Sequence, residues 1–366
     1  MIKEGNFGYH EAITLLVITI ITKTFFTSPA VLVGIVGTAG WYMTLVSATT
    51  AIFAFMFLYL LLKRFPKKNI MEIADVVLGK WGSVIFLLLF GAFLLWTASV
   101  SIREFTEVLK VYVLPQSPPS FVMILFVITI VVLSFMGLET IARFAKFIIY
   151  ILGAGFVLIV LFSSQNFVFQ NLFPLMGYGL DKTLIHGLLR CSFYGEVVLL
   201  GVIASSLQGY KEIKRIGFST LLITGFFTSF SLFIFTLVFP YTVGQELTSP
   251  MYEMAALINY GGFLQRMEPF FLFLWNFGTF IEVSLIFYAT LMIFCHAFRI
   301  DDKRPIILPM VTTLYSLSLI PKSILEVTTG LVQSLRSWGW VIYYVPPIFI
   351  LIIALIRKKK GGSQNA

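Results

Sequence analysis

A chain of 366 residues with 58% hydrophobic and only 12% charged side chains is no ordinary soluble domain, in which roughly 25% of residues are charged. Its composition calls for an all-α integral membrane protein in a lipid bilayer. The net charge of +9 is assigned to Lys and Arg gathered in cytoplasmic loops, so no nucleic-acid partner is expected.

A helix needs roughly 20 apolar residues to cross the hydrocarbon. Apolar runs of that kind fall near 10–35, 40–62, 83–113, 119–136, 141–162, 183–206, 217–239, 268–298, 306–320 and 338–356. The ninth is short. The first follows a nearly neutral start and lacks a small-residue cleavage site, so it reads as a retained span.

The first span contains Thr22-Lys23-Thr24-Phe25-Phe26-Thr27-Ser28-Pro29. Pro29 removes a backbone donor and clashes with the preceding turn, and threonines can return hydrogen bonds to freed carbonyls. Two readings follow: a broken helix whose exposed backbone meets a ligand, or a Pro kink packed against neighbours. A connector with an amphipathic piece, Asn69 to Gly79, leads to the long third span. There Trp96, Ser99, Val100, Arg103 and Glu107 share one face at helical spacing. Arg103 and Glu107 also suit a simple i, i+4 pair.

The sixth span carries Arg190-Cys191-Ser192-Phe193-Tyr194-Gly195-Glu196, a second interruption at the corresponding place in the other half. Paired interruptions point to a ligand cavity at the bilayer midplane. Another amphipathic piece, Pro250 to Tyr260, precedes the long eighth span. Trp275, Thr279, Glu282 and Ile286 share a face there, with Asn276 beside it. Both stripes suit either a wall of a small-molecule site or interhelical packing with polar contacts. The tail, Gly361 to Ala366, reads as disordered.

Counting Lys and Arg between spans with the N-terminus inside places 18 in inner segments and 5, including Arg336, in outer ones. Both termini are therefore expected in the cytoplasm, and ten spans keep the alternation. One transmembrane domain, 1–366, would divide into five-helix repeats at 10–162 and 183–356. Five is odd, so the repeats are inverted, with helices 1 and 6 interrupted.

Lys23, Arg103, Glu104, Arg190, Glu196 and Glu282 lie within spans, where charge is costly and faces a cavity or a partner. They form either a proton or ion relay or a static salt-bridge network. Cys191 and Cys295 sit in apolar runs and make no disulfide framework or metal pattern. The chain has no GxxxxGK[ST], HExxH or nucleophile elbow. No catalytic residue, metal or cofactor is expected, and the chain is not read as an enzyme.

The stretch Asn171-Leu172-Phe173-Pro174-Leu175-Met176-Gly177-Tyr178-Gly179, then Gly187, the Gly195-Glu196 step, Arg266-Met267-Glu268 and Trp275 resemble the B subunit of the endospore germinant receptors, the spore permease family. More distantly the chain is similar to the amino acid–polyamine–organocation transporters, whose fold is a five-plus-five inverted repeat with broken first and sixth helices. Their first break is glycine-rich, of the form IGxGIxxxP. Here Thr22 and Thr24 flank Lys23 in its place, and threonine bars the close backbone approach that glycine permits. Lys23 is then expected to supply a fixed charge, pairing with Glu196, Glu282 or a ligand carboxylate.

The resemblance implies a nutrient receptor of the inner spore membrane that works with an A subunit, having a membrane part and soluble domains, and a C subunit, a lipoprotein. An amino acid, sugar or nucleoside would bind between the two breaks, walled by the third and eighth spans. The expected lining is Thr24, Thr27, Trp96, Val100, Tyr194, Gly195, Asn276 and Thr279, with Glu196 a structural or coupling carboxylate. A secondary amino acid transporter driven by an ion gradient, or a membrane scaffold for the other subunits, would share the fold.

Overall fold

The computed structural model describes residues 7–207, 211–261 and 264–361. The first span is α1 (Tyr9–Ile21), a 3₁₀ turn (Thr22–Phe25) and α2 (Ser28–Val36). Phe26 leaves helical geometry at φ −92°, ψ −139°. Pro29 stands in the first turn of α2, where its missing N–H is tolerated. The helix is therefore broken before the proline, not kinked at it.

Next come α3 (Gly40–Arg64), α4 (Ile70–Tyr112), α5 (Pro119–Met136) and α6 (Leu138–Ser163). The sixth span is α7 (Leu180–Leu189), a 3₁₀ stretch (Arg190–Val198), α8 (Leu199–Val202) and a last 3₁₀ turn (Ile203–Ser206). Then follow α9 (Lys211–Val238), α10 (Tyr241–Gly244), α11 (Pro250–Ala256), α12 (Glu268–Phe298), α13 (Arg304–Ser318) and α14 (Gln333–Ile356), entered through a π-helical stretch (Glu326–Val332). Eight helical stretches among the described residues are long and apolar enough to cross a membrane. The broken first span and the 15-residue α13 complete the ten expected.

The first amphipathic piece is helical from Ile70, and the second is helical over Pro250–Ala256. Asn69 and Glu72 form a reciprocal cap at the start of α4. Ile70, Ile73, Ala74 and Val77 bury one face of its opening turns, and Gly79, at φ 79°, then redirects the chain into the span. After α11, the two-residue strands Asn259–Tyr260 and Leu264–Gln265 pair antiparallel, a small addition to an otherwise helical chain. Of the expected tail, residues 362–366 lie outside the described residues.

One boundary differs from expectation. The tenth span starts at Glu326 rather than near 338. Its opening is polar enough to read as a connector, yet Arg336 is buried within α14. The assignment of Arg336 to an outer segment is corrected accordingly: the protein interior, not water, surrounds its side chain.

The halves interlock as an inverted repeat requires. The second span packs on the seventh (α3 on α9) and the third on the eighth (α4 on α12). Phe7, just before α1, forms a parallel bridge with Leu207, just after the sixth span. The start of one interrupted helix thus meets the end of the other, and the two run antiparallel. On the same face Lys146 bonds Glu11 at 2.6 Å, the Arg215 guanidinium covers Tyr9, and Gly361 donates to Arg64 O. Both ends of the described chain therefore share one face.

Apolar side chains such as Phe53 on α3, Leu89 on α4, Phe147 on α6 and Phe226 on α9 are exposed, as a lipid-facing surface demands. By contrast α12 is buried nearly all round. A helix apolar on all sides belongs inside the bundle.

Candidate functional site

Breaking a helix frees backbone groups that must find partners away from water. At the first break, Trp275 on α12 donates its indole N–H to Thr22 O at 3.1 Å, and Ser249 Oγ reaches Phe25 O at 3.3 Å. Glu104 on α4 accepts from Thr27 Oγ1 at 2.6 Å and from Thr27 N at 3.4 Å. Thr22 turns its own hydroxyl back to Ile18 O. Side chains of the protein thus occupy backbone groups that an unwound helix would otherwise offer to a ligand.

The second break is bound to the first. Lys23 donates to Phe193 O at 2.6 Å and to Glu196 Oε2, with both charged side chains almost fully buried. Its ammonium also lies 4.9 Å from the centre of the Phe193 ring, a cation–π distance. Tyr343 on α14 donates to the other oxygen, Glu196 Oε1, at 3.1 Å. Gly195 permits this closeness, since a Cβ there would stand 2.1 Å from the Tyr343 ring. Ser192 Oγ donates to Arg336 O, and Tyr194 OH reaches Thr44 O on α3 at 3.2 Å and Thr228 Oγ1 on α9 at 2.6 Å.

The remaining charges divide into a pair and single groups. Arg103 and Glu107 form the buried i, i+4 pair at 2.7 Å. Glu282 Oε1 accepts from Ser101 at 3.2 Å, while Oε2 has no partner. Arg190 donates to Gln333 Oε1 at 2.7 Å through Nη2 and leaves Nε unpaired. The Arg336 guanidinium also lies over the Phe193 ring, 5.3 Å from its centre, with Nε unpaired. Lys23, Glu104, Glu282 and Arg336 are all within electrostatic range of one another.

A small cavity of about 10 Å³ sits between the breaks, touched by Ser28, Met43, Thr44, Arg190, Tyr194 and Arg336. That is room for about one water. Its outer walls are α3 and α14, whereas the sequence pointed to the third and eighth spans. Of the expected ligand-lining residues, Tyr194 touches it; Arg190, expected among the charges, does too.

The other expected residues stand around it. Thr24, with an unpaired hydroxyl, and Thr27 belong to the first break. Gly195 lies beneath Tyr343. Val100 is buried against Val327 and Val332, with half-buried Trp96 beside them. Thr279 is buried on α12 and bonds Trp275 O, and half-buried Asn276 bonds Leu272 O. Sequence reasoning missed Ser28, Arg336 and Tyr343. The signal for the last two was present: Arg336, Gly339, Tyr343, Pro347, Ile350 and Ala354 recur at helical spacing and are all buried.

The nonapeptide Asn171 to Gly179 is away from the breaks. Asn171 donates to Leu237 O at 3.1 Å, Tyr178 N to Val36 O at 3.2 Å, and Thr38 Oγ1 to Pro174 O. It straps the ends of α2 and α9 together.

The chain belongs to the spore permease family of spore germination proteins, whose model matches residues 8–327. Three curated relatives from Bacillus subtilis (strain 168) are similar along nearly their whole lengths. Spore germination protein KB is 25% identical over 90% of both chains. Spore germination protein YndE is 24% identical over 87% of this chain and 88% of its own. Spore germination protein A2 is 26% identical over 87% of each. Among solved structures, the fold is like that of Mhp1, a nucleobase-cation-symport-1 family transporter in a closed conformation with bromovinylhydantoin bound. The TM-score is 0.65 at 12% identity, covering 97% of this chain and 91% of that one. The chain is thus a multi-pass membrane protein of the spore germination family with a transporter fold.

Proposed function

We propose that this protein is the nutrient-sensing membrane subunit of a spore germinant receptor. A small germinant, either an amino acid or a sugar or nucleoside, enters between the two breaks and triggers germination through A and C partner subunits in the inner spore membrane. The excess of basic residues in inner segments supports cytoplasmic termini.

The observation that carries this reading is the buried Lys23–Glu196 link between the interrupted stretches, beside a cavity with room for about one water. A nutrient larger than water fits only if the breaks separate. Binding is then inseparable from a change of state, and a ligand shifts such an equilibrium by its differential affinity for the two states. Thr24, Thr27, Tyr194 and Gly195 are the proposed contacts from the breaks. Trp96, Val100, Asn276 and Thr279 are the proposed contacts from α4 and α12 once the breaks part. Lys23, Arg103, Arg190, Glu196 and Glu282 are the proposed structural or coupling charges.

A second reading, a secondary amino acid transporter, is favoured by the likeness to a symporter fold. Proteoliposomes holding this chain alone decide between them. The receptor reading expects saturable binding of a labelled nutrient without uptake, and spores lacking the chain that no longer respond to that nutrient. Uptake that follows an imposed ion gradient would establish the transporter instead.

A further inference from the structure

The walls of the cavity between the breaks carry two guanidinium groups with no carboxylate in direct contact among the described residues. Arg190 and Arg336 both line it, and no acidic residue does among the described residues. Each is more than nine-tenths buried. Neither lies within 4 Å of a carboxylate among the described residues: the buried cations with such partners are Lys23, on Glu196, and Arg103, on Glu107. Arg190 has only the neutral Gln333 amide, Arg336 has the face of Phe193, and both leave Nε without an acceptor. On the same cavity the Ser28 hydroxyl, also buried, has no partner.

A guanidinium stays protonated in proteins, and a buried charge without a counter-ion is costly. The nearby glutamates do not relieve this directly. Glu196 is taken up by Lys23 and Tyr343, Glu104 is turned to Thr27, and Glu282 to Ser101. Planar guanidinium forks match carboxylate geometry, and a hydroxyl supplies a third donor.

We propose that this cavity receives a carboxylate group, held between Arg190 and Arg336 with Ser28 as a further donor. The ligand of this chain is then a small carboxylate such as an amino acid, not a sugar or nucleoside. This rests on the reading that a nutrient binds between the breaks.

The full chain, purified in detergent, is assayed by thermal unfolding with the twenty L-amino acids, their carboxamides, acetate, D-glucose and inosine. At least one free amino acid raises the midpoint, and its carboxamide does not. Arg336→Gln and Arg190→Gln each weaken that amino acid roughly 30-fold or more, as loss of one side of a buried charged contact does. Arg336→Lys, which keeps the charge, weakens it less than Arg336→Gln. Size-exclusion profiles and the ligand-free midpoint identify variants that fail to fold, for which Ser28→Ala, expected to weaken binding several-fold, is the replacement.

Stabilisation by glucose or inosine alone, abolished by Gly195→Trp, overturns the carboxylate site while leaving nutrient binding between the breaks intact. Equal stabilisation by an amino acid and its carboxamide overturns it likewise, as does undiminished affinity in the folded arginine variants. Stabilisation by none of the probes overturns both the site and the reading beneath it.

Discussion

Lys23 and Glu196, one from each interrupted helix, meet as an ion pair in the interior of the bundle. They stand 173 residues apart in sequence, and their contact holds the two halves together where both backbones depart from α-helix. Because Tyr343 takes the second carboxylate oxygen, the pair also anchors α14. Lys23→Met leaves Glu196 with a tyrosine for company and a desolvated charge. Breaking a buried pair by removing one partner costs about 3–5 kcal/mol, so the detergent-purified variant should unfold at a markedly lower temperature. Adding Glu196→Gln should recover part of the loss, since the orphaned charge is removed. A Lys23→Met protein that keeps both its melting temperature and its nutrient binding would show that the pair neither stabilises nor couples the breaks.

Gly195 tests the close approach of the sixth span to α14. An added Cβ would stand 2.1–2.5 Å from three carbons of the Tyr343 ring, well inside contact distance. Gly195→Ala should therefore destabilise the chain by roughly 1–3 kcal/mol, the usual cost of overpacking. Neighbouring substitutions that relieve one another are non-additive. In a double-mutant cycle, Tyr343→Ala should cost less on the Gly195→Ala background than alone. Strict additivity would separate the two residues.

These two contacts show what was legible beforehand. Lys23, Glu196 and Gly195 stand out in sequence because charge within an apolar run and a small residue beside a carboxylate are rare, and the ten apolar runs were legible from hydropathy, with the positive-inside count supporting their alternation. Arg336 did not stand out. Gln333, Ser334, Arg336 and Ser337 look like a connector when only hydropathy is weighed, and hydropathy does not register that polar partners wait inside the fold. The walls of the small cavity were hidden for a related reason. Ser47 bonds Met43 O within its own helix as well as Gly187 O across the bundle, and hydroxyls that can satisfy themselves locally carry no signal of what they face. The stripes on α4 and α12 were easier to see, yet they line the contact between those helices as much as any opening.

Trp275 should be needed for the first break. Its N–H is the partner of Thr22 O, and the residue is 2% exposed. Trp275→Phe keeps an aromatic ring but leaves that carbonyl without its donor. A buried acceptor left unpaired costs about 1–3 kcal/mol, so the melting temperature should fall even though the ring is kept. Amides of residues 22–27 should also exchange with deuterium faster. Unchanged exchange there would mean that the broken segment is held by its other contacts alone.

The strap from Asn171 to Gly179 gives the most local prediction. Gly177 adopts φ 53°, and a Cβ on it would fall 1.9 Å from Val36 O and 2.9 Å from Ala39 Cβ. Left-handed backbone alone disfavours an L side chain by about 1–2 kcal/mol, and the clash with a backbone oxygen cannot be relieved by a rotamer change. Gly177→Ala should therefore lift the strap from the end of α2, breaking the Tyr178 N to Val36 O bond. The measurable result is faster proteolysis within 171–179 while the α12 core stays protected. Gly153, on the exposed side of α6, has nothing within 4 Å of an added Cβ. Gly153→Ala should leave proteolysis unchanged and stabilise the helix by up to ~1 kcal/mol. If both variants are cleaved alike, the strap is not held by the fit of Gly177 against α2.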